Sequence, residues 1–176
     1  PVLSVVAPVF NEQESVEELV HRVMDSCRSM GVDFECLVVN DGSRDETEPR
    51  LVGLSRRIPE LRVVNLLRNF GHMPALSAGI ALARGQAVVV MDGDLQDPPE
   101  LIPQFMERWR AGSHIVVGLR THRRENLWVR GMTSLFYRIL GKMSETKIPQ
   151  QAGTFCLMDR RIVEVFNRLP ERDRYF

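Results

Sequence analysis

The pattern of apolar and polar residues predicts strands and helices in alternation. Apolar runs typical of strands cover residues 3–10, 34–39, 61–67, 86–91, 114–120 and 153–158. Apolar residues at helical spacing separate most of these runs, in segments 11–31, 46–57, 74–85, 99–110 and 126–143, and a short helix runs through Phe166. Asn11 is the predicted cap of the first helix and Gly31 its end.

Several of the predicted strands are apolar throughout, not only at alternate positions. Such strands are buried on both faces, and strands that alternate with helices are typical of a parallel sheet. We therefore predict an α/β fold with helices on both faces of a mostly parallel sheet.

Composition narrows the class of protein. The chain has 176 residues, 44% of them hydrophobic, and a formal net charge of zero, which suits one globular domain without a general attraction to nucleic acid. Its three cysteines stand among apolar residues, so we expect buried free thiols in a reducing compartment. No apolar run reaches the roughly 20 residues that span a bilayer. The chain begins at Pro1 and ends without a stop signal, so we expect a fragment of a longer protein.

Polar residues follow the first five predicted strands at the point where each strand ends. They are "PVFNE", "NDGS", "RNFGH", "DGDLQD" and Arg120. In open α/β sheets, ligands bind outside the carboxyl ends of the strands. We therefore predict a functional site at this edge, and we interpret His72 as an ordinary loop residue there, with a phosphate or sugar contact as the alternative.

Asp92 and Asp94 follow the fourth apolar run directly. Alternate residues of a strand share a face, so these carboxylates point the same way, and Gln96 joins them if the chain stays extended. Hard oxygen ligands of this kind favour Mg²⁺ or Mn²⁺, which usually also take substrate phosphate oxygens. Asp97 is instead expected to cap the helix introduced by the next two prolines.

Four segments in this order carry a family resemblance. "VVAPVFNEQES", "VVNDGSRDET", "LLRNFGHMPALSAGIALARG" and "VVMDGDLQDPPELIPQFMERWRAG" resemble the inverting family 2 glycosyltransferases with a GT-A (Rossmann-like) fold. The nearest branch is the polyprenyl-phosphate glycosyltransferases. The resemblance implies that residues 1–176 form a single GT-A catalytic domain that ends before the membrane helices of a longer protein.

The resemblance implies roles for residues at the ends of the first two strands. Pro8, Phe10 and Glu12 match positions that line the nucleotide pocket. Val39 and Asp41 match the base-binding end of the second strand, where Asp41 contacts the base.

The resemblance also implies roles around the fourth strand. Met91, Asp92 and Gly93 match positions around the ribose and diphosphate. Asp94 and Gln96 match ligands of the Mg²⁺ or Mn²⁺ ion, with Asp92 nearby. On these grounds Asp92 and Asp94 are also the predicted catalytic carboxylates.

The segment 120–130 is rich in arginine. Arg120 matches a catalytic arginine that contacts phosphate in the family. The other basic residues alternate with apolar ones such as Trp128, which suits a surface of anionic lipid or the phosphate of a lipid acceptor, although a solvated loop explains them equally.

The resemblance implies transfer of a hexose from a nucleotide-diphosphate sugar to a polyprenyl phosphate at the cytoplasmic face of a membrane. UDP-sugar is favoured as donor, and guanosine stays open. The chain departs from the family pattern at Asn40, and at Gln151, Thr154 and Cys156, where relatives carry two acids and an arginine. An ionised acceptor phosphate needs no base. The alternatives are a glycan acceptor or a protein that binds nucleotide sugar without transfer.

Overall fold

The computed structural model describes residues 1–119 and 152–168. The strands are β1 (Leu3–Val9), β2 (Phe34–Asn40), β3 (Leu61–Asn65), β4 (Ala87–Val90), β5 (Ile115–Leu119) and β6 (Ala152–Asp159). The helices are α1 (Val16–Arg28), α2 (Thr47–Ser55), α3 (His72–Leu82), α4 (Ile102–Arg110) and α5 (Arg160–Arg168), with a 3₁₀ turn at Pro99–Leu101. The predicted helix 126–143 and residues Arg120 and Gln151 lie outside the described residues.

The strands form one sheet in the order β3-β2-β1-β4-β6-β5. β1 pairs in parallel with both β2 and β4, and β2 pairs in parallel with β3, whereas β6 runs antiparallel to β4. The predicted mostly parallel sheet is therefore confirmed. Because β1 to β4 run the same way, the loops that follow them meet at one edge.

Helices cover both faces of the sheet, as predicted. On one face, Val5 and Val89 pack in a core with α1, α2 and α4. On the other face, Val6 and Val88 pack with α3 and α5. Alternate residues of the same strand thus point into different cores, which explains why these strands are apolar at nearly every position.

The described residues belong to two compact units. Residues 1–116 and 154–168 lie in the first, and the second spans 117–153, of which 117–119 and 152–153 are described. All side chains of the candidate site described below belong to the first unit. In the part of the chain that the structure describes, no helix is both long and apolar enough to cross a membrane.

All three cysteines are buried free thiols, as the sequence predicted. Burial raises the pKa of Cys27 to about 12, and burial, followed by the charge of Asp97, raises the pKa of Cys156 to about 12. Cys156 packs in the core with α3 and α5. It is therefore a thiol at neutral pH.

Candidate functional site

A cleft of about 430 Å³ opens where β1 and β4 end. It is lined by Pro8, Val9, Phe10, Glu12, His72, Asp92, Gly93, Asp94 and Thr154. Most of the positions predicted for the nucleotide and its diphosphate therefore meet in one place. A larger depression of about 570 Å³ lies beside α2 and contains none of the predicted site residues.

Other predicted residues do not line this cleft. Val39 is buried against α3, where a β-carbon on Gly79 would lie 2.9 Å from its Cγ2 atom. Met91 is buried in the core, and its backbone N–H donates to Val6 O at 3.1 Å. Asp41 is buried, and its backbone N–H donates to the O atom of Val9, a cleft residue, at 2.9 Å, whereas Gln96 is exposed.

The loops that follow β1 and β2 are joined by hydrogen bonds. The backbone N–H of Asn11 donates to Ser43 Oγ at 2.9 Å, and Asn11 Oδ1 accepts from the backbone N–H of Arg44 at 2.9 Å. The N–H of Glu12 donates to Thr47 Oγ1 at 2.9 Å. These bonds hold the β1 side of the cleft in a fixed conformation.

Asn11 does not cap α1, contrary to the sequence-based expectation. The helix begins at Val16 after Ser15, whose side chain makes no capping hydrogen bond. Asn11 has φ 55°, a left-handed conformation that asparagine adopts more readily than most residues. Its side chain joins the two loops instead. The Ser15 hydroxyl donates to Glu12 Oε2 at 2.5 Å and so orients that carboxylate at the cleft.

The Asp41 carboxylate binds the loop that follows β3. Its Oδ1 accepts from the N–H of Phe70 at 2.8 Å, and its Oδ2 accepts from the N–H of Gly71 at 2.9 Å. Gly42 has φ 66°, and a β-carbon there would lie 2.4 Å from the carbonyl carbon of Arg68. The structure therefore shows a role in loop geometry for Asp41, and its contact with the base stays a prediction.

The chain does not stay extended after β4, so the condition under which Gln96 would share a face with the aspartates is not met. The strand ends at Val90, the chain turns at Gly93 and Asp94, and Leu95 takes φ 64°. Asp94 Oδ1 accepts from the N–H of Gln96 at 3.1 Å within this turn. Asp92 and Asp94 nevertheless line the same cleft.

Asp97 does not cap the following helical turn. That turn begins after Pro98 without a side-chain capping bond. Asp97 is 1% exposed, and its Oδ2 accepts from the backbone N–H of Asp92 at 2.9 Å. The bond closes the loop 92–97 and fixes the backbone that carries both cleft aspartates.

Asp92 is approached from two other parts of the chain. The Thr154 hydroxyl donates to Asp92 Oδ1 at 2.7 Å, and His72 Nε2 lies 3.5 Å from the same oxygen. His72 is the first residue of α3 and lines the cleft, so its interpretation as an ordinary loop residue is wrong. Sequence reasoning gave Thr154 no role at this carboxylate.

Gly93 lies against the end of β1. A β-carbon at this position would come within 2.5 Å of Pro8 O and 2.6 Å of Val9 Cγ1. The absence of a side chain thus lets the aspartate loop and the end of β1 form a common wall of the cleft.

The donor atoms of the cleft fit a hard divalent cation. Asp92 and Asp94 bring two carboxylates to one cleft, and Mg²⁺ typically takes one or two protein carboxylates, with waters and substrate phosphate oxygens completing its shell. Within residues 1–119 and 152–168, no three or more His, Cys, Asp or Glu side chains form a complete metal cage. Two protein carboxylates would leave the rest of such a cation's shell to water and phosphate oxygens.

Comparison with known proteins identifies the family of the chain. The sequence model of glycosyl transferase family 2 matches residues 4–166. An uncharacterized glycosyltransferase of Synechocystis sp. is 43% identical over 98% of this chain and 55% of its own length. The bactoprenol glucosyl transferase of Shigella phage SfV is 38% identical over 98% of this chain and 57% of its own length. The chain thus spans a little over half the length of these curated relatives.

A solved structure supports the fold. The mannosyltransferase PcManGT from Pyrobaculum calidifontis, determined in complex with GDP-Man and Mn²⁺, aligns with a TM-score of 0.67. The alignment covers 97% of this chain and 48% of that one, at 22% sequence identity. The predicted GT-A fold is confirmed.

Proposed function

The chain belongs to glycosyl transferase family 2, and we propose that it carries the donor site of an inverting, metal-dependent glycosyltransferase. The proposed reaction moves a hexose from a nucleotide-diphosphate sugar, with a UDP-sugar favoured, to a polyprenyl phosphate. The observation that supports it best is the cleft in which Asp92 and Asp94 face the end of β1. The relative named for glucosyl transfer to bactoprenol, a polyprenol, supports the acceptor class.

The nucleoside end of the donor is assigned to the β1 side of the cleft. Phe10 is 40% exposed, although the loop that carries it is held in place, so its ring is available to a planar base. Glu12 brings an oriented carboxylate next to it, suited to hydroxyl groups of a ribose. We further propose that Asp41 contacts the base from its buried position at the end of β2.

The diphosphate end is assigned to the β4 side. Asp94 and Asp92 would hold Mg²⁺ or Mn²⁺, with Gln96 as a further oxygen ligand if its exposed side chain turns toward the cleft. A bound divalent cation neutralises negative charge on the nucleoside diphosphate as it leaves. Arg120, which lies outside the described residues, is proposed to contact the same phosphates.

The acceptor needs no protein base in this reaction. A polyprenyl phosphate is already ionised at neutral pH, so its oxygen attacks the anomeric carbon without losing a proton. Attack from the face opposite the leaving group inverts the anomeric centre. Thr154 and Cys156 offer no carboxylate to serve as a base, which agrees with such an acceptor. We place the reaction at the cytoplasmic face of a membrane, where the basic segment 120–130 would meet lipid headgroups.

Calorimetric titration tests the donor site. UDP and GDP are each added to the chain with and without Mn²⁺, and the same titrations are made with Asp94→Ala. We expect one nucleotide to bind more tightly with Mn²⁺ and Asp94→Ala to abolish that gain. Asp25→Ala, which removes an exposed carboxylate from α1, is the matched control and should keep the gain. Absence of binding by both nucleotides to the unaltered chain would contradict the proposal.

The acceptor is tested by a transfer assay. The preferred nucleotide sugar, labelled in its hexose, is incubated with polyprenyl phosphate in detergent, and the lipid is extracted. Label in the lipid fraction supports the proposed acceptor. Nucleotide binding without transfer in the longer protein that contains this chain would instead indicate a nucleotide-sugar-binding protein.

A further inference from the structure

The Thr154 hydroxyl donates a short hydrogen bond to a carboxylate of the proposed donor site. Its Oγ1 atom lies 2.7 Å from Asp92 Oδ1, and both residues line the cleft. The two residues are 62 positions apart in the chain. The bond therefore depends on the way in which the strands pair.

The pairing of β6 with β4 accounts for this contact. The strands are antiparallel, and Val90 lies opposite Cys156 at the end of their ladder. When the same register is continued by two residues, position 154 falls opposite position 92. The pairing thus brings Thr154 close to Asp92, which lies at the start of the loop 92–97.

Residues that follow Thr154 along the chain hold β6 in this register. The Phe155 ring packs on Phe105 with ring centroids 4.7 Å apart. Farther along, the Arg160 guanidinium donates to the carbonyl oxygens of Ala83 and Gly85. The hydroxyl is therefore presented from a strand that is anchored on the neighbouring helix and loop.

The backbone of Asp92 is anchored separately, through its N–H bond to Asp97. What Thr154 adds is a constraint on the side chain of Asp92, that is, on the direction of its carboxylate oxygens. Fixing the rotamer of a carboxylate before a ligand binds reduces the free energy lost on binding.

We propose that Thr154 is a positioning residue of the donor site, which orients the Asp92 carboxylate for the metal-bound diphosphate of a nucleotide sugar. The inference rests on the proposed function. Thr154 acts through Asp92, so its hydroxyl matters and its methyl group does not. Loss of the Thr154 hydroxyl weakens binding of the nucleotide with Mn²⁺ while the fold stays intact.

The size of the effect follows from the type of bond. Hydrogen bonds to charged groups correspond to roughly 10-fold or more in an equilibrium constant. We expect Thr154→Val, which keeps the shape and removes the hydroxyl, to raise the dissociation constant of the nucleotide–Mn²⁺ complex about 10-fold. Thr154→Ser restores the hydroxyl and is expected to stay within about 3-fold of the unaltered chain.

The experiment is a calorimetric titration of UDP and GDP, each with Mn²⁺, into the unaltered chain, Thr154→Val and Thr154→Ser. The matched control is Ser29→Ala, which removes a hydroxyl that donates to Ser26 O at 2.7 Å, at the end of α1. Thermal unfolding of each variant shows whether the fold is retained. We expect the unaltered chain, Ser29→Ala and Thr154→Ser to bind with similar affinity. Thr154→Val should bind more weakly.

Each other outcome overturns the inference in a distinguishable way. If Thr154→Val binds as tightly as the unaltered chain, the inference fails and the proposed function stands. If Thr154→Ser is as weak as Thr154→Val, the methyl group supplies packing and the residue does not act through Asp92. If the unaltered chain binds neither nucleotide with Mn²⁺, the proposed function fails and the inference fails with it.

Discussion

Gly93 faces the carbonyl oxygen of Pro8 so closely that a β-carbon at position 93 would lie 2.5 Å from that oxygen. Pro8 belongs to β1, which is buried along its whole length, and it pairs with Val39 of β2, so this part of the strand is well anchored. The loop that carries the cleft aspartates is the part that would shift. The contact therefore links the conformation of that loop to the end of β1.

We expect Gly93→Ala to weaken nucleotide binding by 10-fold or more, because the displaced loop carries Asp92 and Asp94. The strain of overpacking costs about 1–3 kcal/mol of stability in addition. Calorimetric titration and thermal unfolding measure the two effects. Gly53→Ala in α2 is the control, since a β-carbon there meets nothing within 4 Å, and it should bind normally. Normal binding by Gly93→Ala would show that the loop tolerates the displacement.

The sequence predicted the sheet and its polar edge well because continuous apolar runs are a strong signal for buried parallel strands. Pro8, Phe10 and Glu12 line the cleft at this edge, as expected from where β1 ends, and their contacts with a nucleotide stay predictions. The resemblance to a known family supplied the roles predicted for these residues in binding a nucleotide.

The interior of the loops was harder to predict, because there the backbone leaves regular geometry. The left-handed conformation of Leu95 breaks the alternation on which the placement of Gln96 depended, and Asn11, also left-handed, joins two loops instead of capping α1. The contact of Thr154 with Asp92 needed the antiparallel register of β6, which no local pattern in the sequence encodes.

Replacement of Asp41 by asparagine should loosen the loop between β3 and α3. The change replaces one of the two carboxylate oxygens by an amide NH₂ group, which cannot accept a hydrogen bond. The backbone N–H of either Phe70 or Gly71 therefore loses its acceptor. A lost hydrogen bond to a charged group costs about 1.5–3 kcal/mol. Hydrogen exchange should therefore accelerate at the amides of both residues while β1 amides stay protected. Unchanged hydrogen-exchange rates at the backbone amides of Phe70 and Gly71 would contradict this role of Asp41.

Glu35 lies near the start of β2, at the end of the strands opposite the cleft, and stabilises the fold there. Its contribution to the free energy of unfolding should depend on pH. Burial acts to raise its pKa, but hydrogen bonds from Ser4, from Arg62 and from the N–H of Arg84 outweigh it, so the pKa is lowered in the folded state. The stabilisation is thus fully present above the unfolded pKa of about 4.3. It is lost as the pH falls through the lower folded pKa.

We expect Glu35→Gln to cost about 1–3 kcal/mol in free energy of unfolding at pH 7, because a buried hydrogen-bonded charge is removed. The loss should shrink as the pH is lowered from 6 to 3, since the unaltered chain loses the same contribution by protonation. Urea unfolding across this pH range measures both trends. Glu107→Gln, at an exposed position of α4, should change stability little at any pH. If the free energies of unfolding of Glu35→Gln and the unaltered chain differed by the same amount at every pH, this role of Glu35 would be contradicted.

The cysteines should resist thiol reagents as long as the chain is folded. Thiolate is the reactive form, and burial raises the pKa of Cys27 and Cys156 to about 12 and also raises that of Cys36. At pH 8 we expect a coloured disulfide reagent to label the native chain at least about 100-fold more slowly than an exposed thiol, whose pKa is about 8.5. In guanidinium chloride all three should react quickly, which serves as the control. Fast labelling of any cysteine in the native chain would show that the core around it opens, and added nucleotide with Mn²⁺ would then test whether that opening involves the donor cleft.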